Sequence, residues 1–148
     1  MHLKTREVSR MKKIIAIILT LLMILTFAAC GGSGAGNGSS SGAVYTVDIE
    51  ELDPRIYPED YPLMPSEDFE AALEVLKEAN MNAELDGYQD IADIFGVDGA
   101  YYVNNDINSN ERLFKYYGWY ADNGRSLLIS FVVDGKNLKY YAYTESGI

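Results

Sequence analysis

Residues 126–143, SLLISFVVDGKNLKYYAY, decide the fold that the sequence predicts. Apolar and polar side chains alternate on both sides of Asp134-Gly135, and this dipeptide is typical of a two-residue turn between antiparallel strands. The stretch therefore predicts a β-hairpin. A turn centred on Asp134-Gly135 pairs Val133 with Lys136, and this pairing determines which side chains share a face of the sheet.

One face of this hairpin is more apolar than a solvated sheet face normally is. Its predicted members are Leu128, Ser130, Val132, Lys139, Tyr141 and Tyr143. A matching turn at Asn123-Gly124 adds Tyr117 and Trp119, whereas one extra loop residue puts Tyr116 and Tyr120 there instead. Exposed apolar patches of this kind mark contact surfaces, and tyrosine and tryptophan anchor such contacts. We therefore expect a partner to bind this face.

The residues before the hairpin predict two helices. Ser66 precedes acidic residues, as an N-cap does, and apolar side chains then recur at helical spacing for about 14 residues. A shorter helix is expected at residues 88–95, capped by Asp86 or Gly87 and ending at Gly96. Strands are expected at residues 100–104, 113–120, 126–133 and 137–143. The predicted fold of residues 66–148 is α+β, with two N-terminal helices packed on one face of a four-stranded antiparallel meander sheet.

Residues 44–65, which we call the collar, contain all four prolines of the chain. Proline spaced every three or four residues prevents helix and favours extended backbone. We expect the collar to pack along the domain, where it can cover the aromatic face. The alternative is a docking peptide for an aromatic groove. Residues 31–43 contain only Gly, Ser, Asn and Ala, which is typical of a flexible tether.

The first 29 residues have the pattern of a secretory signal peptide. Two lysines precede an uncharged run over residues 14–29, and a helix of that length spans about 24 Å, less than the ~30 Å core of a bilayer. Met11 is an alternative start of this segment. The run ends in Phe27-Ala28-Ala29-Cys30, followed by glycine.

These residues resemble the lipobox of bacterial lipoproteins. The resemblance implies that Cys30 is acylated and that residues 30–43 tether the domain to the extracytoplasmic face of a bacterial membrane. A short anchor that stays uncleaved, or a buried cysteine after an ordinary signal peptide, are the alternatives.

Three stretches of the domain share a pattern with a known family. They are residues 87–99, the Tyr117-Gly118-Trp119 strand, and Phe131 to Lys136 across the last turn. Residues 66–148 thus resemble the repeat unit of the beta-lactamase inhibitor protein, which also occurs singly in small outer-membrane-assembly lipoproteins. The resemblance implies a curved sheet whose open face, including Leu128 and Ser130, binds other proteins. It also implies that the loop at Asp122 protrudes. The inhibitor has two such units and cystines, whereas this chain has one unit and one cysteine.

Residue usage excludes several chemistries. The single histidine is His2, within the predicted signal peptide, so no catalytic residue, metal ligand or cofactor is predicted in the domain. Residues 106–117 begin like a calcium loop but have Glu111 where glycine is needed and Tyr117 where an acid is needed. Residues 44–98 carry 16 acidic and two basic side chains, which argues against nucleic acid as a partner.

The sequence therefore predicts an envelope lipoprotein that acts without catalysis, as a protein-binding or scaffolding module. Its expected partners are the bilayer, through acylated Cys30, and another envelope protein, with a homodimer as an alternative. A second hypothesis is a small-ligand receptor with a pocket between helices and sheet. A third is a carboxylate-dependent hydrolase of the cell wall.

Overall fold

The computed structural model describes residues 43–147. The predicted signal peptide, Cys30 and nearly all of the tether lie outside the described residues. Within them the elements, in chain order, are β1 (Tyr45–Val47), α1 (Ser66–Met81), α2 (Tyr88–Phe95), β2 (Ala100–Tyr102), β3 (Ile107–Ser109), β4 (Arg112–Tyr120), β5 (Ser126–Asp134) and β6 (Asn137–Ser146).

The strands form a single mixed sheet in the order β1-β2-β4-β5-β6, with β3 paired to β4. Strand β1 lies parallel to β2, and every other pairing is antiparallel. The predicted four-stranded antiparallel meander with N-terminal helices is therefore wrong. A parallel pair needs a long crossover connection, and the part of the collar that follows β1 forms that connection together with α1 and α2. The helices consequently lie in the middle of the folded chain.

Both helices lie where the apolar spacing predicted them. Ser66 is the first helical residue of α1 rather than its cap, which is Pro65. Gly87 caps α2, and Asp90 Oδ2 accepts hydrogen bonds from the backbone N–H groups of Asp86 (2.8 Å) and Gly87 (2.9 Å). Gly96 ends α2 in the left-handed conformation, with φ 66°.

The core lies between these helices and one face of the sheet. Trp119 is fully buried against Phe95 and Tyr88, and its Nε1–H donates to the Val97 carbonyl oxygen at 2.9 Å. A Cβ atom on Gly99 would lie 2.7 Å from the Trp119 ring, so this position requires glycine. The other core side chains include Phe69, Leu73, Leu76, Ile91, Tyr101, Tyr117, Leu127, Ile129 and Phe131.

The β4–β5 connection is one residue longer than a turn centred on Asn123-Gly124. Trp119 pairs with Leu127, and Tyr120 pairs with Ser126. Because side chains alternate between faces, this single residue turns Tyr117 and Trp119 into the core. The prediction that they face outward is wrong, and the alternative with Tyr116 and Tyr120 outward describes the structure.

The β5–β6 hairpin also departs from the predicted register. Gly135, with φ 61°, and Lys136 are the central turn residues, so Val133 pairs with Leu138. A shift of two residues leaves the faces unchanged, but a β-bulge at Ser130/Phe131 then interrupts the pairing. The extra residue reverses the faces beyond it. Tyr143 therefore packs against the core, contrary to its predicted outward position.

Candidate functional site

The sheet face opposite the helices, here called the outer face, has two halves. The part of the collar that follows β1 lies over the first, the covered half, which comprises Tyr45, Val47, Ala100, Tyr102 and Tyr120. The second, the open half, comprises Phe114, Ser130, Val132, Lys139, Tyr141, Ala142 and Thr144, all partly or fully exposed. Tyr116 and Leu128 lie at the boundary and pack against the covered half.

Tyrosine rings hold the collar on the covered half. Tyr61 of the collar is buried edge-on against Tyr120, with 5.0 Å between ring centroids, and against Tyr45, with 5.1 Å. At its end the collar pairs with β4, because Met64 N–H donates to Tyr120 O at 3.0 Å. The collar is therefore part of the folded domain, and it seals this half of the face.

The phenol groups of Tyr102 and Tyr120, in the covered half, are bonded inside the protein. The hydroxyls of Tyr102 and Tyr120 lie 2.6 Å apart, and both reach the carbonyl oxygen of Ile56. Tyr102 Oη also lies 3.0 Å from the Asp53 carbonyl oxygen. Burial raises the pKa of Tyr102 to about 12 and raises that of Tyr120 well above its ordinary value. These side chains thus have a structural role and remain neutral.

The turn that accepts these phenol bonds is also closed by an ion pair. The Arg55 guanidinium donates to both carboxylate oxygens of Asp53, at 2.9 and 2.7 Å. This hydrogen bonding lowers the pKa of Asp53 to about 2. The collar turn is therefore held by hydrogen bonds from Tyr102 and Tyr120 and by its own exposed salt bridge between Asp53 and Arg55.

Tyr141 is the most exposed aromatic side chain of the open half, with 57% of its surface accessible. It lies at the β-bulge and reaches across β5 to contact Phe114 edge-on, with 5.0 Å between centroids. On the same half, Ser130 Oγ donates to the carbonyl oxygen of Ala142 at 3.2 Å. The bulge thus exposes the Tyr141 ring on the open half.

A charged pair borders this apolar centre. Lys139 Nζ lies 2.6 Å from Asp134 Oδ2, and both side chains are more than half exposed. Their hydrogen bond raises the pKa of Lys139 and lowers that of Asp134. An apolar centre with a polar rim is the usual composition of a protein interface.

The structure brings together five of the predicted site residues. Leu128, Ser130, Val132, Lys139 and Tyr141 lie on the outer face. Asp122 is exposed in the β4–β5 loop, where its N–H donates to Met64 O at 2.9 Å. Tyr117, Trp119 and Tyr143 lie on the helix side and are not part of this surface.

Sequence reasoning missed Phe114, Ala142 and Thr144, which lie on the open half. Phe114 belongs to the alternative β4 register, so the loop-length ambiguity already contained the signal for it. Ala142 and Thr144 face outward only because of the bulge, and the alternating pattern of residues 137–143 holds no sign of that extra residue.

A groove of about 570 Å³ lies on the helix side, beside the β5–β6 turn. Its lining includes Tyr88, Lys115, Tyr117 and Leu138. Lys115 Nζ donates to Tyr101 Oη at 2.8 Å and lies 3.3 Å from Asp106. The lysine is therefore held at the groove wall by partners of its own.

Residues 43–147 contain no group of three His, Cys, Asp or Glu side chains placed to hold a metal ion. Over the same residues, neither helix has the length and hydropathy to cross a membrane.

Comparison with known proteins adds no relative. No family model, no curated protein and no solved structure matches this chain.

Proposed function

We propose that this protein is a membrane-anchored lipoprotein of the bacterial envelope that binds another envelope protein through the open half of the outer face. The observation that supports this most directly is the contrast between the two halves. Tyr102 and Tyr120 of one half are buried beneath the collar, whereas Tyr141 of the other half is 57% accessible. A tyrosine in contact with a second ring, surrounded by a polar rim, is typical of residues that dominate binding energy.

The anchor in this proposal is acylated Cys30. A single acyl chain binds a bilayer only marginally, but two or more chains hold a protein stably. The tether of residues 31–43 reaches about 20 Å on average, so the open half would meet partners close to the membrane surface.

The proposal assigns no catalytic step to the domain. The mature chain would contain no imidazole, and acylation would remove its one thiol. Paired carboxylates remain the available acid–base groups, and the exposed ones on α1 belong to a solvated helix face.

Photo-crosslinking in the native envelope tests the binding face. A benzophenone amino acid replaces Tyr141 in one variant and Val75 in a matched control, since Val75 is 47% exposed on the outside of α1. We expect a discrete adduct from position 141 and none from position 75. Equal labelling at the two positions, or no adduct at position 141, would contradict the proposal.

The anchor has a separate test. The Cys30→Ser variant should leave the membrane fraction and appear in the soluble fraction of the envelope. If it stays with the membrane, the apolar run of residues 14–29 is the anchor and acylation is not.

The groove beside Tyr88 supports a second candidate function, the binding of a small molecule. Its volume lies within the usual ~300–1,000 Å³ range of ligand sites. Val133→Trp, which would fill part of the groove, should abolish ligand-induced thermal stabilisation if this function is correct. The same variant should leave crosslinking at position 141 unchanged.

A further inference from the structure

The sheet ends in two very different edge strands. Strand β1, at one edge, has three residues, whereas β6, at the other, has ten. An edge strand presents a row of backbone N–H and C=O groups that can pair with another chain, and natural proteins normally shorten or cover such edges. The length of β6 therefore needs an explanation.

A short backbone segment already covers the beginning of the β6 edge. Gly87 forms an antiparallel bridge with Lys139, and Tyr140 N–H donates to Asp86 O at 2.9 Å. A Cβ atom on Gly87 would lie 2.5 Å from Leu138 O, so only glycine permits this approach. The chain before α2 thus occupies the edge as the first residues of an added strand would.

Within residues 43–147, no backbone pairing covers the remaining edge, residues 142–146. Among residues 43–147, the bond from Tyr140 is the one backbone hydrogen bond that joins β6 to anything except β5. Alternate residues of an antiparallel strand direct N–H and C=O groups away from the paired neighbour. Beyond the bulge, the alternate residues of β6 that face away from β5 therefore have no backbone partner in the described part of the chain, whereas Ala142 O accepts a hydrogen bond from Ser130 Oγ.

Side chains form two walls along this open edge. On the helix side α1 contacts β6 through side chains, with Lys77 Nζ 3.2 Å from Glu145 and Tyr140 Oη donating to Asn80 Oδ1 at 2.9 Å. Met81, at the end of α1, is 78% exposed. On the outer face Tyr141 borders the same edge. An edge strand beside a helix is an arrangement that accepts an extended peptide as an additional strand.

Charge indicates what kind of chain would occupy this edge. The bordering helix carries Glu70, Glu74 and Glu78, of which Glu70 pairs with Arg125 and Glu74 with Lys77. Glu78, and Asp86 at the covered end, are exposed carboxylates. Residues 44–98 have 16 acidic side chains against two basic ones. A second copy would bring the same negative charge, and like charges placed together suppress association. A cationic segment complements this field.

We propose that the β6 edge at residues 142–146 accepts an extended, basic segment of another protein as an added β-strand. This inference rests on the proposed protein-binding function and names the chemistry of the partner. Backbone hydrogen bonds would provide affinity, and lysine or arginine side chains beside α1 would provide specificity.

The test uses the full-length protein in detergent and a synthetic peptide of alternating Lys and Val as the probe. One control peptide replaces Lys by Glu, and a second carries N-methyl groups on alternate residues, which removes the donors along one edge. We expect the Lys/Val peptide to slow amide exchange of residues 142–146 by about tenfold or more. The N-methylated peptide should bind at least about tenfold more weakly, since it loses several backbone bonds.

The outcomes are separable. Binding of the Lys/Val peptide without protection of residues 142–146, or no binding at all, overturns the added strand. Equal protection by the Glu/Val peptide overturns the basic partner. Protection that rises with protein concentration alone identifies a second copy as the occupant and also overturns the proposal. None of these results decides the crosslinking at position 141, so the proposed function can fail or survive separately.

Discussion

The covered and open halves of the outer face have similar side chains in opposite environments. In the covered half, Tyr102 and Tyr120 are buried and their hydroxyls are bonded to the collar. In the open half, Tyr141 contacts Phe114 and is more than half exposed. Aromatic composition alone therefore does not distinguish a contact surface from a buried layer. The presence of a covering segment distinguishes them.

The covering segment matters because buried phenols need hydrogen-bond partners. The carbonyl oxygens of Asp53 and Ile56 serve the covered half, and both belong to the collar. The described residues supply no equivalent cover for Tyr141. Four predictions test where these aromatic side chains lie, and they are given in order of decreasing effect.

Replacement of Trp119 should have the largest effect. Trp119→Ala removes a fully buried ring and its bond to Val97, and should lower the free energy of unfolding by about 3–5 kcal/mol. Chemical denaturation monitored by circular dichroism measures this loss. A loss below about 1 kcal/mol would place Trp119 on the surface after all.

Alkaline pH should weaken the covered half. The pKa of Tyr102 in the folded protein is raised to about 12 by burial, above the ordinary value of 10.0. The unfolded chain therefore loses this proton at a lower pH than the folded protein does. The free energy of unfolding keeps its full value below pH 10 and decreases as the pH rises towards 12. The slope is roughly 1.4 kcal/mol per pH unit for each such phenol. Thermal melts between pH 9 and 12 measure it, and a flat profile over that window contradicts the buried phenols.

The hydroxyl of Tyr102 can be removed without changing the shape of its ring. Tyr102→Phe leaves the Asp53 carbonyl and the Tyr120 hydroxyl short of a partner and should cost about 1–3 kcal/mol. In this variant the alkaline slope should also decrease. An unchanged melting temperature would show that the hydroxyl network adds nothing to the attachment of the collar.

The matched change on the open half should cost least. Tyr141→Ala removes an exposed ring and should alter the free energy of unfolding by no more than about 0.5 kcal/mol. Its effect should instead appear as loss of the partner adduct when the crosslinker stands at the neighbouring Phe114. A loss of several kcal/mol would assign Tyr141 to the core.

Local patterns in the sequence predicted what depends on local contacts. The spacing of apolar residues placed α2 at Tyr88–Phe95, and Gly96 marked its end. Strands β1 and β3 have three residues each, too few for alternation to identify them firmly. The parallel pairing of β1 with β2 joins residues on either side of both helices. No local pattern encodes that contact, so the predicted meander was wrong.

Two additional residues, one in a loop and one at a bulge, determine which side chains lie on the outer face. One additional residue in the β4–β5 connection moved Trp119 from the expected outer face into the core. The bulge near Tyr141 moved Ala142 from the expected core side to the outer face. It also moved Tyr143 from the expected outer face to the core side. Alternation has a period of two, so each additional residue reverses every assignment beyond it. Leu128, Ser130 and Val132 were placed correctly because the additional residue at the bulge, Tyr141, belongs to β6, so the alternation along β5 is unbroken.

Tyrosine labelling tests the contrast between the two halves most directly. A tyrosine-selective reagent is applied to the purified protein and to intact envelopes, and the labelled positions are mapped by mass spectrometry. The account predicts that Tyr141 is labelled in the purified protein and protected in the envelope. Tyr57, 42% exposed on the collar, should be labelled in both, and Tyr102 and Tyr120 in neither. Equal labelling of Tyr141 in both preparations would contradict the account.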